Sequence, residues 1–361
     1  MWTPLRQIPV MIPIRSALPV ALSLAASASL ACGFHGYSPQ PSLVERLLVS
    51  DHIVLARNDP QNPFAYKAVR AIEGSLDHVE LPHLVDSATR RRFDLNPDAT
   101  VLFARDGDYG PWQRLTYVGP ELAPVIERIA PRLDDWQMGG DEERFQIFAD
   151  LIGSEDPALQ GIALRELDTA DYYVFRRLDL KPDAEAIGAQ MYRPEGAGLL
   201  AIRILLLGMA EGEVADTLLR RGFALTLKSG GPLLGAYSTA LIELNGTEAV
   251  SLLAQTYLAD TTIPLDVRES IAEALAIHGI AGDPTLQPEI SEAVSAALEA
   301  APDLAPAVAR QFGFRAEWSQ FATLNDLLRS GKIRAAPDIL AVSQYLAMAS
   351  NAGAAPMPDG N

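Results

Sequence analysis

Ala163-Leu164-Arg165-Glu166-Leu167 returns along the chain as Ala201-Ile202-Arg203-Ile204-Leu205, then as Ala240-Leu241-Ile242-Glu243-Leu244 and as Ala274-Leu275-Ala276-Ile277-His278. The leading alanines stand 38, 39 and 34 residues apart, room for two helices and their turns. Recurrence at roughly 20–50 residues marks architectures in which each unit buries its apolar face against its neighbours. Aligned alanines let neighbouring helices approach closely, and the Leu or Ile that follows fills the shared core. Such stacked surfaces more often hold partners than perform chemistry.

Around this echo the pattern is helical from Asp141 almost to the end. Asp141-Glu142-Glu143 sets acids at the positive end of a helix dipole. Asp156-Pro157 pairs a cap with proline in the first turn and precedes the apolar stripe Leu159, Ile162, Ala163, Leu167. Further helices are predicted over 198–209, 213–224, 233–244, 248–257, 266–278, 288–300, 305–312, 318–329 and 337–348. Over about 141–348 the chain resembles the HEAT-like family of α-solenoids, which implies helix pairs stacked around a groove in a helical repeat domain expected to span 141–350. The last residues, 351–361, carry Pro, Gly and Ala without periodicity and are expected to be a disordered tail.

Ahead of the helices, residues 50–119 follow another period. His52 to Ala56 is a short apolar run. A turn cluster, Asn58-Asp59-Pro60-Gln61-Asn62-Pro63, leads into Phe64-Ala65-Tyr66-Lys67-Ala68-Val69-Arg70-Ala71-Ile72, where apolar and polar sites nearly alternate up to Glu73-Gly74. His78–Val85, Thr100–Arg105 and Trp112–Val118 complete five predicted strands, enough for a small closed barrel that leaves no exposed edge. The order of strand, turn and "YKAVRAIEGS" strand resembles the OB-type barrel of netrin-like and metalloprotease-inhibitor domains. Residues 120–140, with a predicted helix over 121–133 and Met138-Gly139-Gly140, read as a linker helix and joint. The fold expected is therefore multi-domain α+β, a small β-barrel followed by a HEAT-like α-α solenoid.

The first 31 residues read as an export signal. Arg6 and Arg15 precede the uncharged run Ser16–Ala31, which is too short for a comfortable span and ends in small residues. The single cysteine, Cys32, follows directly, so no internal disulfide framework exists. Ser29-Leu30-Ala31-Cys32 resembles a bacterial lipoprotein signal, which implies cleavage before Cys32 and diacylation of its thiol. Two acyl chains anchor stably where one does not. Gly33 in place of aspartate implies an outer-membrane address in a Gram-negative cell, with residues 32–49 as a tether. The alternative is ordinary cleavage that leaves a soluble periplasmic protein.

Chemistry has few candidates. Net charge is −17, which repels phosphate backbones, so nucleic acid is excluded as a partner. There is no P-loop, no HExxH and no G-x-S-x-G elbow, and no catalytic residue, metal or cofactor is expected. Cys32 beside His35 makes half a metal site. His78 and Glu80 would share a strand face while His83 points opposite. Arg90-Arg91-Arg92, the one dense basic run, reads as a solvated loop or as a dock for something acidic. His278, ending the fourth echo, suits a capping or half-buried role at a helix C-terminus rather than that of a general base. Asp134-Asp135, Glu142-Glu143, Asp183 and Glu185 read as solvated acids.

The expected function is that of an exported, lipid-anchored, non-enzymatic binding or scaffold protein. Its solenoid groove would hold a protein or peptide partner, a basic one if the groove is acidic. A different class of function is a netrin-like protease inhibitor or modulator, in which free N-terminal Cys32 seeks a metallopeptidase metal. A third is a hydrolase with carboxylates in the groove.

Overall fold

A computed structural model describes residues 37–139 and 141–354. The predicted export segment 1–31, Cys32, His35, Gly140 and residues 355–361 lie outside the described residues. The described part of residues 32–49, expected to be a tether, holds a short helix, α1 (Leu43–Leu48), opened by a reciprocal capping box between Ser42 and Glu45. Four strands follow: β1 (His52–Asp59), β2 (Asn62–Glu73), β3 (Thr100–Arg105) and β4 (Gln113–Val118). They pair antiparallel in the order β2-β1-β3-β4. Side chains in the hairpin fix its turn, with Asp59 accepting from the Gln61 amide (2.9 Å) and Asn62 from the Phe64 amide (3.2 Å).

The sheet is open, not a closed barrel. In register, Ile53 faces Ala104 and Leu55 faces Leu102, while Val54 faces Phe103 and Ala56 faces Val101. The first set belongs to a core shared with α1 and with later helices. The second belongs to a core with Tyr66, Val85, Phe93 and Trp112. A barrel has one interior, but here both faces of the central strands are covered, which is why β1 and β3 read as unbroken apolar runs. The expected strand His78–Val85 contributes a single bridge, Leu84 to Ala65. His78 holds a positive φ of 59° and Pro82 offers no N–H, so no continuous ladder can form there.

Helix α2 (Ser87–Leu95) crosses the second face, and it carries Arg90–Arg92, which are therefore helical and not in a loop. The Arg90 guanidinium sits 4.5 Å over the Phe64 ring and that of Arg92 5.1 Å over Tyr117. The linker contains α3 (Ala123–Ile129), a 3-10 turn and α4 (Leu133–Gln137). Helices α5 (Asp141–Ala149) and α6 (Pro157–Leu167) place Ile147, Phe148, Leu159 and Ala163 in the same core as Ile53, Leu55 and Leu102. Sheet and first helices thus share one apolar interior.

From there the chain is helical: α7 (Tyr172–Phe175), α8 (Ala184–Gln190), α9 (Leu200–Gly208), α10 (Glu213–Ser229), α11 (Leu234–Asn245), α12 (Thr247–Leu252), α13 (Leu265–Ala281), α14 (Gln287–Ala300), α15 (Ala305–Phe314), α16 (Phe321–Arg329) and α17 (Ala336–Asn351). A π-helical stretch, Leu253–Leu258, continues α12. Helices α9, α11, α13, α15 and α17 pack in succession as one row. Helices α10, α12, α14 and α16 lie behind as a second, an arrangement compatible with an α-solenoid. The four echoed alanines are all buried. At Gly208 a Cβ would stand 2.8 Å from the Ala240 Cα, so glycine is what lets α9 lie against α11. Among the described residues no helix is long and apolar enough to cross a membrane.

Candidate functional site

The front row of helices carries an open groove of about 780 Å³ between α13, α15 and α17. Its floor is polar and self-compensated. Glu269 on α13 accepts two bonds from the Arg310 guanidinium on α15 (3.0 and 2.6 Å) and a third from the Gln311 amide (3.0 Å). One turn on, Arg315 donates to Glu273 at 2.8 Å. Burial pulls the Arg315 guanidinium down from its ordinary value and Glu273 pushes it back up. Bidentate geometry of the Arg310 kind is the strong form of the carboxylate pair.

The lip of the groove is apolar and open. Phe314 is 63% exposed, Leu340 68% and Met348 41%. Each belongs to the same surface as the neutralised pairs. The chemistry this arrangement offers is therefore apolar anchoring beside hydrogen-bonding groups already held in place.

Tyr37 also lines the groove and packs on the helical core. Its hydroxyl donates to the Asp168 carboxylate at 2.5 Å. Asp168 is buried, and burial pushes its carboxyl up to about 6, against the Tyr37 hydrogen bond and the Arg165 charge. Five residues on, a second buried cluster fastens the same arm. Arg144 donates to Glu166 (2.7 Å) and to the Ser42 hydroxyl (3.2 Å), and Glu166 also accepts from the Val44 amide (3.3 Å). Burial pushes the Glu166 carboxyl up, and Arg144, Val44 and Ser42 work against that push.

The remaining sequence candidates separate. Cys32 and His35 lie outside the described residues. His83 is engaged with the Trp112 carbonyl (2.8 Å), and its ring is tilted against that of Phe103 at 5.3 Å. Among the described residues no group of three or more His, Cys, Asp or Glu could hold a metal ion. Asp183 caps α8, accepting from the Glu185 and Ala186 amides. Arg132 and Arg177 draw Glu143 and Glu142 into surface ion pairs.

His278 departs from expectation. Helix α13 runs on to Ala281, so His278 sits inside the last turn, fully buried. Burial pulls its imidazole down to about 4; Glu243 and the Thr239 carbonyl oppose this, while Arg176 adds to it. It is thus neutral at pH 7 and serves the interior rather than the helix dipole. Its Nε2 lies 2.9 Å from the Thr239 carbonyl oxygen and 3.3 Å from the Tyr172 hydroxyl. Tyr172 and Arg176 both donate to Glu243 at 2.6 Å.

Sequence reading missed the groove residues because Glu269, Arg310 and Leu340 are joined only by the stacking of three helices. The signal within reach was the pair Glu269 and Glu273, four apart on one helix face, matched by Arg310 and Arg315 five apart. In comparisons with known proteins the chain matches no family model, no curated protein and no solved structure.

Proposed function

We propose that the protein is a non-enzymatic binding or scaffold protein that holds an amphipathic segment of a protein partner in the groove along α13, α15 and α17. The observation that carries this is the exposed trio Phe314, Leu340 and Met348 beside two satisfied Arg–Glu pairs. Covering a large apolar side chain is worth about 1.5–3 kcal/mol, so a partner gains most from the lip. The paired floor adds orientation without a bare charge to be desolvated. In this reading the partner presents apolar residues at helical spacing, and the α-solenoid is of the HEAT-like kind.

The address belongs to the same proposal. Cleavage before Cys32 with diacylation of its thiol would hold the protein on the periplasmic side of the envelope, and the Tyr37–Ser42 arm would lead from the anchor to the groove.

The test places a photo-crosslinking residue at Leu340 in cells. A dominant protein adduct that disappears in a Phe314→Glu background supports the groove. Adducts unaffected by Phe314→Glu, or none at all, sink it. Intact mass of the mature protein decides the anchor separately: a diacylglyceryl mass on Cys32 supports it, and an unmodified terminus removes it.

A further inference from the structure

Arg203 interrupts the most apolar helix of the chain. It lies on α9 between Ile202 and Ile204 and is only 7% exposed. Its guanidinium donates to the Gly196 carbonyl (3.1 Å) and to Gln190 Oε1 (3.2 Å). No carboxylate lies within ion-pair range of it among the described residues, and burial alone pulls its guanidinium down from the ordinary value. An arginine cannot escape burial by losing its proton. It therefore stays charged, with three of its five N–H donors unused by these two bonds.

The position is built for this side chain. A Cβ at Gly196 would stand 1.9 Å from Arg203 Nη1, so only glycine leaves the seat open. The guanidinium borders two adjoining cavities, about 510 Å³ and about 300 Å³, which share Ser154, Gln160 and Gln190 in their walls. Exposed Arg193 stands at the larger cavity and exposed Glu155 borders both. The smaller cavity continues into an apolar wall of Ile152, Leu164, Ile187 and Leu206. Volumes of this order suit small ligands.

We infer that Arg203 is the anion-binding residue of a small-molecule site between α6, α8 and α9, whose ligand carries a carboxylate on a short apolar chain. The carboxylate pairs with the guanidinium through the fork geometry that arginine offers, supplying the counter-ion that the described residues do not. The apolar chain lies against Ile152, Leu164, Ile187 and Leu206. This site is separate from the groove of α13, α15 and α17 and does not depend on it. Two sources share the chemistry: a free short-chain acid, and the C-terminal carboxylate of a peptide ending in an apolar residue.

Calorimetric titration of the full chain with octanoate, octanamide and a tripeptide ending in leucine tests it. Octanoate should bind at least about tenfold more tightly than octanamide, since only the acid pairs with Arg203. Arg203→Met should remove that preference while leaving the circular dichroism spectrum unchanged. Tripeptide binding tighter than octanoate, lost on C-terminal amidation, would support the site and assign its source to a peptide terminus. Equal affinity of the wild-type protein for octanoate and octanamide, or no binding of octanoate and tripeptide alike, would overturn the inference even if Arg203→Met failed to fold. A preference undiminished in a folded Arg203→Met protein would overturn it too.

Discussion

Two arginines of the helical half are buried to nearly the same degree, Arg144 at 5% and Arg203 at 7% exposure, and they meet opposite fates. Arg144, on α5, is given Glu166 and Ser42 and joins the N-terminal arm to α6. Arg203, on α9, is given a carbonyl and an amide oxygen beside two cavities. A buried charge with its counter-ion costs little only while both partners stay, whereas one without a counter-ion is a standing demand for an anion. The first region spends its charge on architecture and the second leaves it available.

The sharpest break of this comparison is at Glu166. Replacing it with alanine removes the buried carboxylate that faces the Arg144 guanidinium and the acceptor for the Val44 amide. Loss of one partner of a buried pair costs about 3–5 kcal/mol, so Glu166→Ala should lower stability by that amount in urea unfolding. An effect below about 1 kcal/mol would mean that the arm is held by its other contacts, the apolar Leu43, Val44 and Leu47 and the Tyr37–Asp168 bond.

Histidine can do what neither arginine can, and surrender its charge. His278 is held neutral, with its folded-state value near 4 against an ordinary 6.5. A depressed folded value means stability that is present above about pH 6.5 and lost as the pH falls toward 4. A shift of about 2.5 units corresponds to roughly 3 kcal/mol. The difference in stability between wild type and His278→Gln, followed from pH 7 to 4, should shrink by about that much. A pH-independent difference would show that the imidazole titrates normally.

Asp168 runs the other way and more weakly. Its carboxyl is raised to about 6 from 3.8, so the stability it contributes is present below about pH 4 and lost as the pH rises through 6. Two units amount to about 3 kcal/mol at most. Asp168→Asn keeps an acceptor for the Tyr37 hydroxyl without the charge. It should therefore gain on wild type by about 2–3 kcal/mol between pH 4 and 7. A constant offset over that range would place the Asp168 titration near its ordinary value.

What the sequence made legible follows from where these partners lie. The helices from α9 onward were readable because they carry apolar residues at helical spacing, whereas the short α7 and α8 were not, α8 having no buried residue; β1 and β3 were readable because their runs are short and unbroken. The interruption by Arg203 was also visible, since one charge in Gly198–Met209 stands out. The closed barrel was not a safe reading, because the alternation of β2 says nothing about which face is covered or by what. Nor was the Arg144 cluster: Glu166, Ser42 and Val44 stand 22, 102 and 122 residues from the groups they bond. Arg144 itself follows three acids and reads as a solvated helix start. His278 looked like a dipole partner because its helix was read as ending there, when the helix runs three residues further and the imidazole is buried against Tyr172, Thr239 and Glu243.

The smallest expected effect is the one that most sharpens the comparison. Arg203→Met removes a desolvated charge and substitutes a flexible apolar side chain that can follow the same path between Ile202 and Ile204. Against that gain stand two acceptors left without a donor, the Gly196 carbonyl and Gln190 Oε1, at about 1–3 kcal/mol each if they stayed dry. Both border the larger cavity, where water can replace the lost N–H groups. The two sides nearly cancel, and the measured change in urea unfolding should lie within about 1 kcal/mol of wild type. Arg144→Met, carried out beside it, should cost about 3–5 kcal/mol because it leaves Glu166 buried and unpaired. Equal losses in the two variants would make Arg203 a second structural arginine, held by its two hydrogen bonds and in no need of a ligand.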